Sequence, residues 1–250
     1  RSAGVGWLLD LYGFKVYTLI GGYKKFRNHV LDTFKLPFNF KILGGNTGSG
    51  KTEILKALDQ KGEAVIDLEK IANHKGSAFG NIGLPKQPTQ EMFENLFALE
   101  LREKSTVSSL NAIWLEDESQ RIGLVNIPND IWKKMRQSPV SFLDISFEER
   151  LQYLVQEYGA LDKQQMLDAI SRIREKLGGL NAKTAAQLLD EGNTIESFRI
   201  LLKYYDKFYL KALHNREALN SLLHSIQCKS VTPENASQLI RQHQYQPETS

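Results

Sequence analysis

The sequence predicts an α/β fold: a mostly parallel sheet flanked by helices, followed by a helical C-terminal region. Three observations predict it. Residues Gly45-Asn46-Thr47-Gly48-Ser49-Gly50-Lys51-Thr52 have the spacing G-x-x-x-x-G-K-[ST] of a phosphate-binding loop (P-loop). Apolar runs of strand length alternate with helical runs from residue 39 to residue 158. From 162 to 224 the apolar residues, among them Met166, Ile170, Ile173 and Leu177, keep a helical period.

Composition narrows the class. A chain of 250 residues holds one large domain, or a medium one with appendages. Hydrophobic content of 41% with 24% charged residues is that of an ordinary globular chain. No uninterrupted apolar run approaches a membrane span, so no membrane partner is expected. The single cysteine, Cys228, excludes an internal disulfide and a cysteine-based zinc cluster, and fits a reducing, cytoplasmic compartment. A net charge of +3 permits a polyanionic partner without demanding one. The chain opens Arg1-Ser2-Ala3-Gly4, with no initiator Met and no signal peptide pattern, and is expected to be a fragment or a processed product.

Residues 1–36 read as a separate piece. A helix over 7–12 ends at Gly13, a natural left-handed stop; a short strand over 15–19 closes at Gly21-Gly22; a second helix covers 23–34. Such a unit cannot bury a core alone and must lean on the next domain or on preceding chain. Leu36-Pro37 marks the boundary to an α/β domain over 37–160. Its strands are expected at 39–44, 64–67, 111–115 and 140–145, and its helices at 51–60, 90–104, 129–137 and 147–158. Ser146-Phe147-Glu148-Glu149 resembles a capping box at the start of the last of these. Residues 161–250 form a helical region that completes the domain. It holds one helix up to Gly178-Gly179, others over 182–189 and 195–213, and a late strand over 225–231 returning to the sheet. Thr232-Pro233 opens a final helix, and a polar tail follows Gln242.

The candidate chemistry sits at the expected strand ends. In the P-loop, Gly45, Asn46, Thr47, Gly48, Ser49 and Gly50 bend the backbone around an anion. Lys51 adds a mobile positive charge, and the Thr52 hydroxyl is placed for Mg²⁺. The third strand runs into Glu116-Asp117-Glu118, where an acid holds a metal or orients a nucleophile. Glu116 is favoured for catalysis and, with Thr52, for Mg²⁺; a plain acidic loop is the simpler reading. Asp67 is a further catalytic candidate at the end of the second strand, with Glu69 beside it, because open α/β sheets bind ligands at the carboxyl ends of strands. His74, Lys75 and Ser77 lie in a long glycine-punctuated segment suited to a substrate lid, although a lone histidine is more often structural. Arg121 and Arg150 suit phosphate clamps or partners for local acids. Lys24, Lys25 and Arg27, with Arg172 and Arg174, form two basic clusters suited to RNA phosphates. Tyr204, Tyr205, Phe208 and Tyr209 interleave with Lys203, Lys207 and Lys211, and read first as core aromatics opposite solvated lysines.

The order of these motifs resembles one family. Trp7-Leu8-Leu9, Gly13-Phe14-Lys15-Val16 and Gly21-Gly22-Tyr23-Lys24-Lys25-Phe26-Arg27 look like the final third of a rhodanese domain. The P-loop, Asn73-His74-Lys75-Gly76-Ser77-Ala78-Phe79-Gly80 and Glu116-Asp117-Glu118-Ser119 follow. The combination is similar to the tRNA 2-selenouridine synthase family, a rhodanese domain fused to a P-loop NTPase-like domain. The resemblance implies a tRNA-modifying transferase. It attaches a geranyl group from geranyl diphosphate to wobble 2-thiouridine and then exchanges the S-geranyl group for selenium from selenophosphate. It implies tRNA, small phosphorylated substrates and a selenophosphate-supplying enzyme as partners, with no organic cofactor. The rhodanese cysteine that the family carries just before the position of Arg1 is absent here, so the selenium step is expected to be impaired if the chain is complete. The competing readings are a P-loop small-molecule kinase or ATPase, using ATP, and a nucleotide-gated RNA-binding module.

Overall fold

The computed structural model describes residues 2–107, 112–159 and 161–244. It begins with α1 (Ser2–Leu11), stopped at Gly13, where φ is +83° and the amides of Gly13 and Phe14 return to the carbonyls of Asp10 and Leu9. The strand expected over 15–19 does not form: this stretch pairs with no sheet edge among the described residues, and Phe14, Tyr17 and Leu19 are exposed, as are Trp7 and Tyr12. α2 (Gly22–Thr33) is anchored instead, with Val30 and the following Phe34 in the main core.

The α/β unit runs β1 (Asn39–Gly45), α3 (Lys51–Gln60), α4 (Leu68–Ala72), α5 (Gln90–Val107) and β2 (Ala112–Glu116). A hairpin of β3 (Arg121–Ile122) and β4 (Val125–Asn126) follows, then α6 (Asn129–Gln137), β5 (Val140–Asp144) and α7 (Phe147–Tyr158). The helical region adds α8 (Lys163–Arg172), α9 (Arg174–Leu177), α10 (Gly179–Asp190), α11 (Thr194–His214) and α12 (Leu219–Leu222). The chain then returns as β6 (Leu223–Gln227) and ends its described part in α13 (Asn235–Gln244).

The main sheet has the order β2-β1-β5-β6, and every pair in it is parallel. Parallel strands need cover on both faces, and their sequences are apolar on both. Phe40, Ile42, Ile113 and Leu115 pack with Phe93, Phe97 and Leu101 of α5 on one side. Leu43, Trp114 and Leu143 pack with Ile54 and Leu58 of α3 and Leu239 of α13 on the other. Each such fully buried side chain contributes roughly 1.5–3 kcal/mol. A third cluster joins α7, α8, α10 and α11 through Leu151, Met166, Ile170, Leu189, Phe198 and Leu201. The register pairs Leu43 with Glu116 and Gly45 with Leu143, so the P-loop and the acidic end of β2 leave the sheet at one edge.

Several expected boundaries shift. The second strand shrinks to a parallel bridge between Val65 and Trp114, because Asp67 already turns the chain into α4. The strand expected over 111–115 is described from Ala112; Asn111 lies outside the described residues, as does the tail beyond Gln244. The helix expected to run to Gly178 breaks at Ile173 into α8 and α9, and Gly178, at φ +89°, lets α10 start at Gly179. The late strand lies two residues earlier than expected at its start. Thr232 and Pro233 form turns whose carbonyls receive the amides of Asn235 and Ala236, and the helix begins only there.

Candidate functional site

The P-loop joins β1 to α3. Gly48 and Gly50 have φ of +82° and +71°. A Cβ at Gly48 would lie 2.9 Å from the Arg150 carbonyl oxygen, and one at Gly50 2.4 Å from Val231 Cγ1, so both conformation and space require glycine. Lys51, the first residue of α3, donates from Nζ to the Gly45 carbonyl at 3.0 Å and stands 3.5 Å from Glu116 Oε1. Among the described residues, Asn46 Oδ1 and the fully buried Ser49 Oγ have no hydrogen-bond partner, and neither has Glu116 Oε2. The helix-start amides, Lys51 and the Ser49 hydroxyl favour an anion here, whereas the Asn46 and Glu116 oxygens are acceptors that call for a donor or a cation.

Asp67 and Glu69 divide their work. Asp67 Oδ1 accepts the Lys70 amide at 2.9 Å and caps α4. That turn carries Glu69 into the site, where the Thr52 hydroxyl donates to its Oε2 at 3.4 Å. Glu69, Glu116 and Glu118 each bring a carboxylate oxygen within 4.8 Å of the others. Burial is the first cause that pushes all three carboxyls above the usual range, and Glu116's charge adds to it at both Glu69 and Glu118; Lys51 opposes it at each. Three hard oxygen donors with one orphaned buried oxygen fit a divalent cation such as Mg²⁺.

α11 braces the loop twice. Arg150, buried on α7, makes a bidentate pair with Asp206 at 2.8 Å and 2.8 Å, and donates to the Thr47 carbonyl at 2.9 Å and the Ile145 carbonyl at 3.1 Å. All of its reach is spent on the loop and its supports rather than held open for a ligand. One turn on, Tyr209 Oη accepts the Gly45 amide at 3.0 Å and donates to Asp117 Oδ2 at 2.9 Å. Asp117 is in turn held by the buried Arg216. Burial, then the Asp117 charge, raises the Tyr209 phenol well above its ordinary value, so it stays a neutral donor.

Residues 47–53 of the loop and α3, with Glu69, Glu116, Asp117, Glu118 and Tyr209, line one cavity of about 670 Å³ that also takes in the 75–79 segment and a stripe of α11; Arg150, Asp206 and Arg216 brace it from behind. Phe198, Leu201, Leu202, Tyr205, Phe208 and Ala212 recur at three- and four-residue spacing and face it. Counted at 1.5 Å per residue, the stripe from Phe198 to the Asp206–Tyr209 braces is about 12–16 Å long. The expected core face with solvated lysines opposite is present, since Tyr204 and Tyr205 pack against the third cluster and Lys203, Lys207 and Lys211 are exposed; Tyr205, Phe208 and Tyr209 in addition line the cavity.

The other predicted residues are placed as follows. Lys75 and Ser77 line the cavity; Lys75 Nζ pairs with Glu157 at 2.6 Å and lies 5.1 Å from the Tyr158 ring centre. His74 is buried behind that segment, beside Gly80 and Gly123, and its Nδ1 has no hydrogen-bond partner among the described residues. Burial and then the Arg172 charge push its pKa down, so it is neutral. Arg172 donates to the Ala78 carbonyl at 3.0 Å. Arg121 is exposed and donates to the Gly123 carbonyl at 2.9 Å, outside the cavity wall. Arg27 is bound to Glu94 and Asn95 of α5, while Lys24, Lys25 and Arg174 are exposed on α2 and α9, apart from the P-loop. Sequence reasoning named the Glu116-Asp117-Glu118 end but favoured Glu116 alone, and missed Asp206, Tyr209 and Arg216 as parts of the site. The signal for Tyr209 was present in the α11 stripe; Arg216 carried none.

A parallel sheet with a P-loop at its carboxyl edge, acids beside its lysine and an attached helical wall defines a P-loop NTPase-like α/β protein. Residues 38–232 match the family model described as the tRNA 2-selenouridine synthase AAA domain, and the chain belongs to that family. It is 31% identical over 244 residues to the tRNA 2-selenouridine synthase of Cupriavidus pinatubonensis, covering 85% of this chain and 65% of that protein. It is 32% identical to that of Pseudomonas putida strain W619, covering 81% and 63%, and 32% identical to that of a Sulfurovum species, covering 81% and 62%. The chain therefore spans a little under two thirds of the length of these relatives.

Proposed function

We propose that the chain acts in tRNA wobble modification, binding geranyl diphosphate and transferring its geranyl group to 2-thiouridine, with selenium from selenophosphate entering in a second step. One observation carries this reading: a single cavity joins an anion-binding loop to an apolar stripe. A ligand with a diphosphate head and a hydrocarbon tail matches both halves, whereas the phosphates of a nucleotide engage only the loop; Phe198, Leu201 and Leu202 meet the cavity from the third core cluster.

In the first step the 2-thiouridine sulfur attacks C1 of the geranyl group. The C1–O bond breaks, the electron pair leaves on diphosphate, and the N3 proton goes to solvent. The loop amides and Lys51 hold the departing charge; Glu116 keeps the ammonium of Lys51 beside the loop. Glu69, Glu116 and Glu118, with Thr52 adjacent, would hold Mg²⁺, which supplies further charge neutralisation to a diphosphate. In the second step the selenium of selenophosphate attacks C2 and geranylthiol departs. Water then cleaves the Se–P bond, releasing phosphate and leaving the selenocarbonyl with a proton on N3. This step draws on the rest of the longer family protein.

The test is incubation with thiolated tRNA and geranyl diphosphate, read by nucleoside mass spectrometry, beside geranyl diphosphate titration of Lys51→Ala. A gain of one geranyl group, and affinity at least about tenfold weaker in the variant, is expected. Unchanged affinity removes Lys51 from the role. The carboxylate cluster beside the P-loop favours one second reading, a kinase or ATPase, which release of ADP from ATP would support.

A further inference from the structure

The cavity has a second end that a prenyl diphosphate leaves unused. Past Tyr209 it is lined by Trp132 and Arg136 of α6 and Ala212 of α11. Trp132 and Arg136 are one helical turn apart, and the guanidinium carbon of Arg136 lies 5.7 Å from the indole centre. Arg136 is half-buried and donates to the Ala212 carbonyl at 3.1 Å, but it makes no ion pair among the described residues. The nearby acid, Asp117, is already bound by Arg216 and Tyr209. Burial and the Arg216 charge both push the Arg136 pKa down, against weaker support from Asp117. A desolvated cation beside an indole, without a carboxylate of its own, is complementary to an electron-rich planar ring that carries phosphate.

The geometry points to a nucleobase site: Trp132 and Arg136 receive the planar base of the acceptor nucleotide. This rests on the proposed reading of the cavity and adds the partner's position within it. The base stacks on the Trp132–Arg136 pair, and Arg136 also meets the nucleotide's phosphate. Ala212 lies about 4–5 Å along α11 from Tyr209, so the base is held next to the loop, at the end of the α11 stripe away from Phe198. A free nucleotide offers the same chemistry as an RNA residue, and the experiment separates the two.

The experiment titrates Trp132→Ala, Trp132→Phe and Arg136→Ala, beside the parent chain, with a 2-thiouridine anticodon stem-loop, with ATP and with geranyl diphosphate. Intrinsic fluorescence and a thermal melt are recorded for each. Stem-loop affinity is expected to fall about tenfold or more in W132A and R136A, and to return to within about threefold of the parent in W132F, whose ring still stacks. Geranyl diphosphate affinity is expected to stay unchanged throughout. Stem-loop binding is expected to quench the parent's fluorescence and to lose that quench in W132F, because Trp7 and Trp114 remain elsewhere. Parental stem-loop affinity in a folded W132A overturns the inference. If W132A does not fold, parental affinity in R136A together with a retained quench in W132F overturns it. Loss of ATP affinity alone assigns the pair to a free nucleotide and overturns the acceptor reading. A parent chain that binds no stem-loop removes the proposed function and this inference together, whereas equal binding by parent and W132A removes only this one.

Discussion

The phenol oxygen of Tyr209 lies 3.0 Å from the backbone nitrogen of Gly45, so a residue 164 positions along the chain completes the first amide of the P-loop. Tyr209→Phe removes that acceptor and also the donor to Asp117. A buried group left unpaired costs about 1–3 kcal/mol, so the free energy of unfolding from denaturant titration is expected to fall by that amount. Inorganic pyrophosphate affinity is expected to fall with it, measured by calorimetry.

The Arg150–Asp206 pair predicts a sharper result. Arg150→Met leaves Asp206 without its cation and the Thr47 carbonyl without its donor. Breaking one side of a buried pair costs about 3–5 kcal/mol. The double variant Arg150→Met, Asp206→Leu is expected to recover much of that loss, and a double-mutant cycle of chemical denaturation measures the difference.

The P-loop and the parallel sheet were legible because their signals are local: glycine spacing in the first case, apolar runs of strand length in the second. The acidic end of β2 was legible for the same reason. Asp67 and Glu69 were both visible, but which one enters the site depends on where α4 starts, and that is fixed by a cap rather than by a pattern. The 15–19 stretch has the composition of a strand, yet a strand requires a neighbouring edge, which no local pattern reports. Tyr209, Arg216 and Asp206 were missed because their partners lie 56 to 164 positions away.

If the α11 stripe receives a hydrocarbon tail, Leu201→Trp fills the limb at a stability cost of about 1–3 kcal/mol for overpacking. Geranyl diphosphate affinity is expected to fall at least about tenfold while pyrophosphate affinity holds. The ratio of the two constants is the readout, because it is insensitive to a general loss of stability.

Cys228 gives a pH signature. Burial, then Asp144, raises its thiol pKa in the folded chain. The unfolded thiol, with a pKa of about 8.5, loses its proton first as pH rises, so stability present below that value drains away above it. Urea midpoints at pH 7, 9 and 10 are expected to fall more steeply for the parent than for Cys228→Ala. Thiol labelling of the native chain is expected to be slow until denaturant is added.

The bracing of the P-loop by α11 has a further consequence. The helix that forms the apolar wall also grips the anion loop, through Asp206 and Tyr209, within a single turn. Anything that tilts the wall therefore tugs the loop's backbone at Thr47 and Gly45. Tail and head cannot be scored as independent fragments: a diphosphate stripped of its hydrocarbon meets a differently tensioned cradle. The free energy of the intact ligand should then depart from the sum of its two halves, and the size of that departure gauges how stiffly the helix transmits strain.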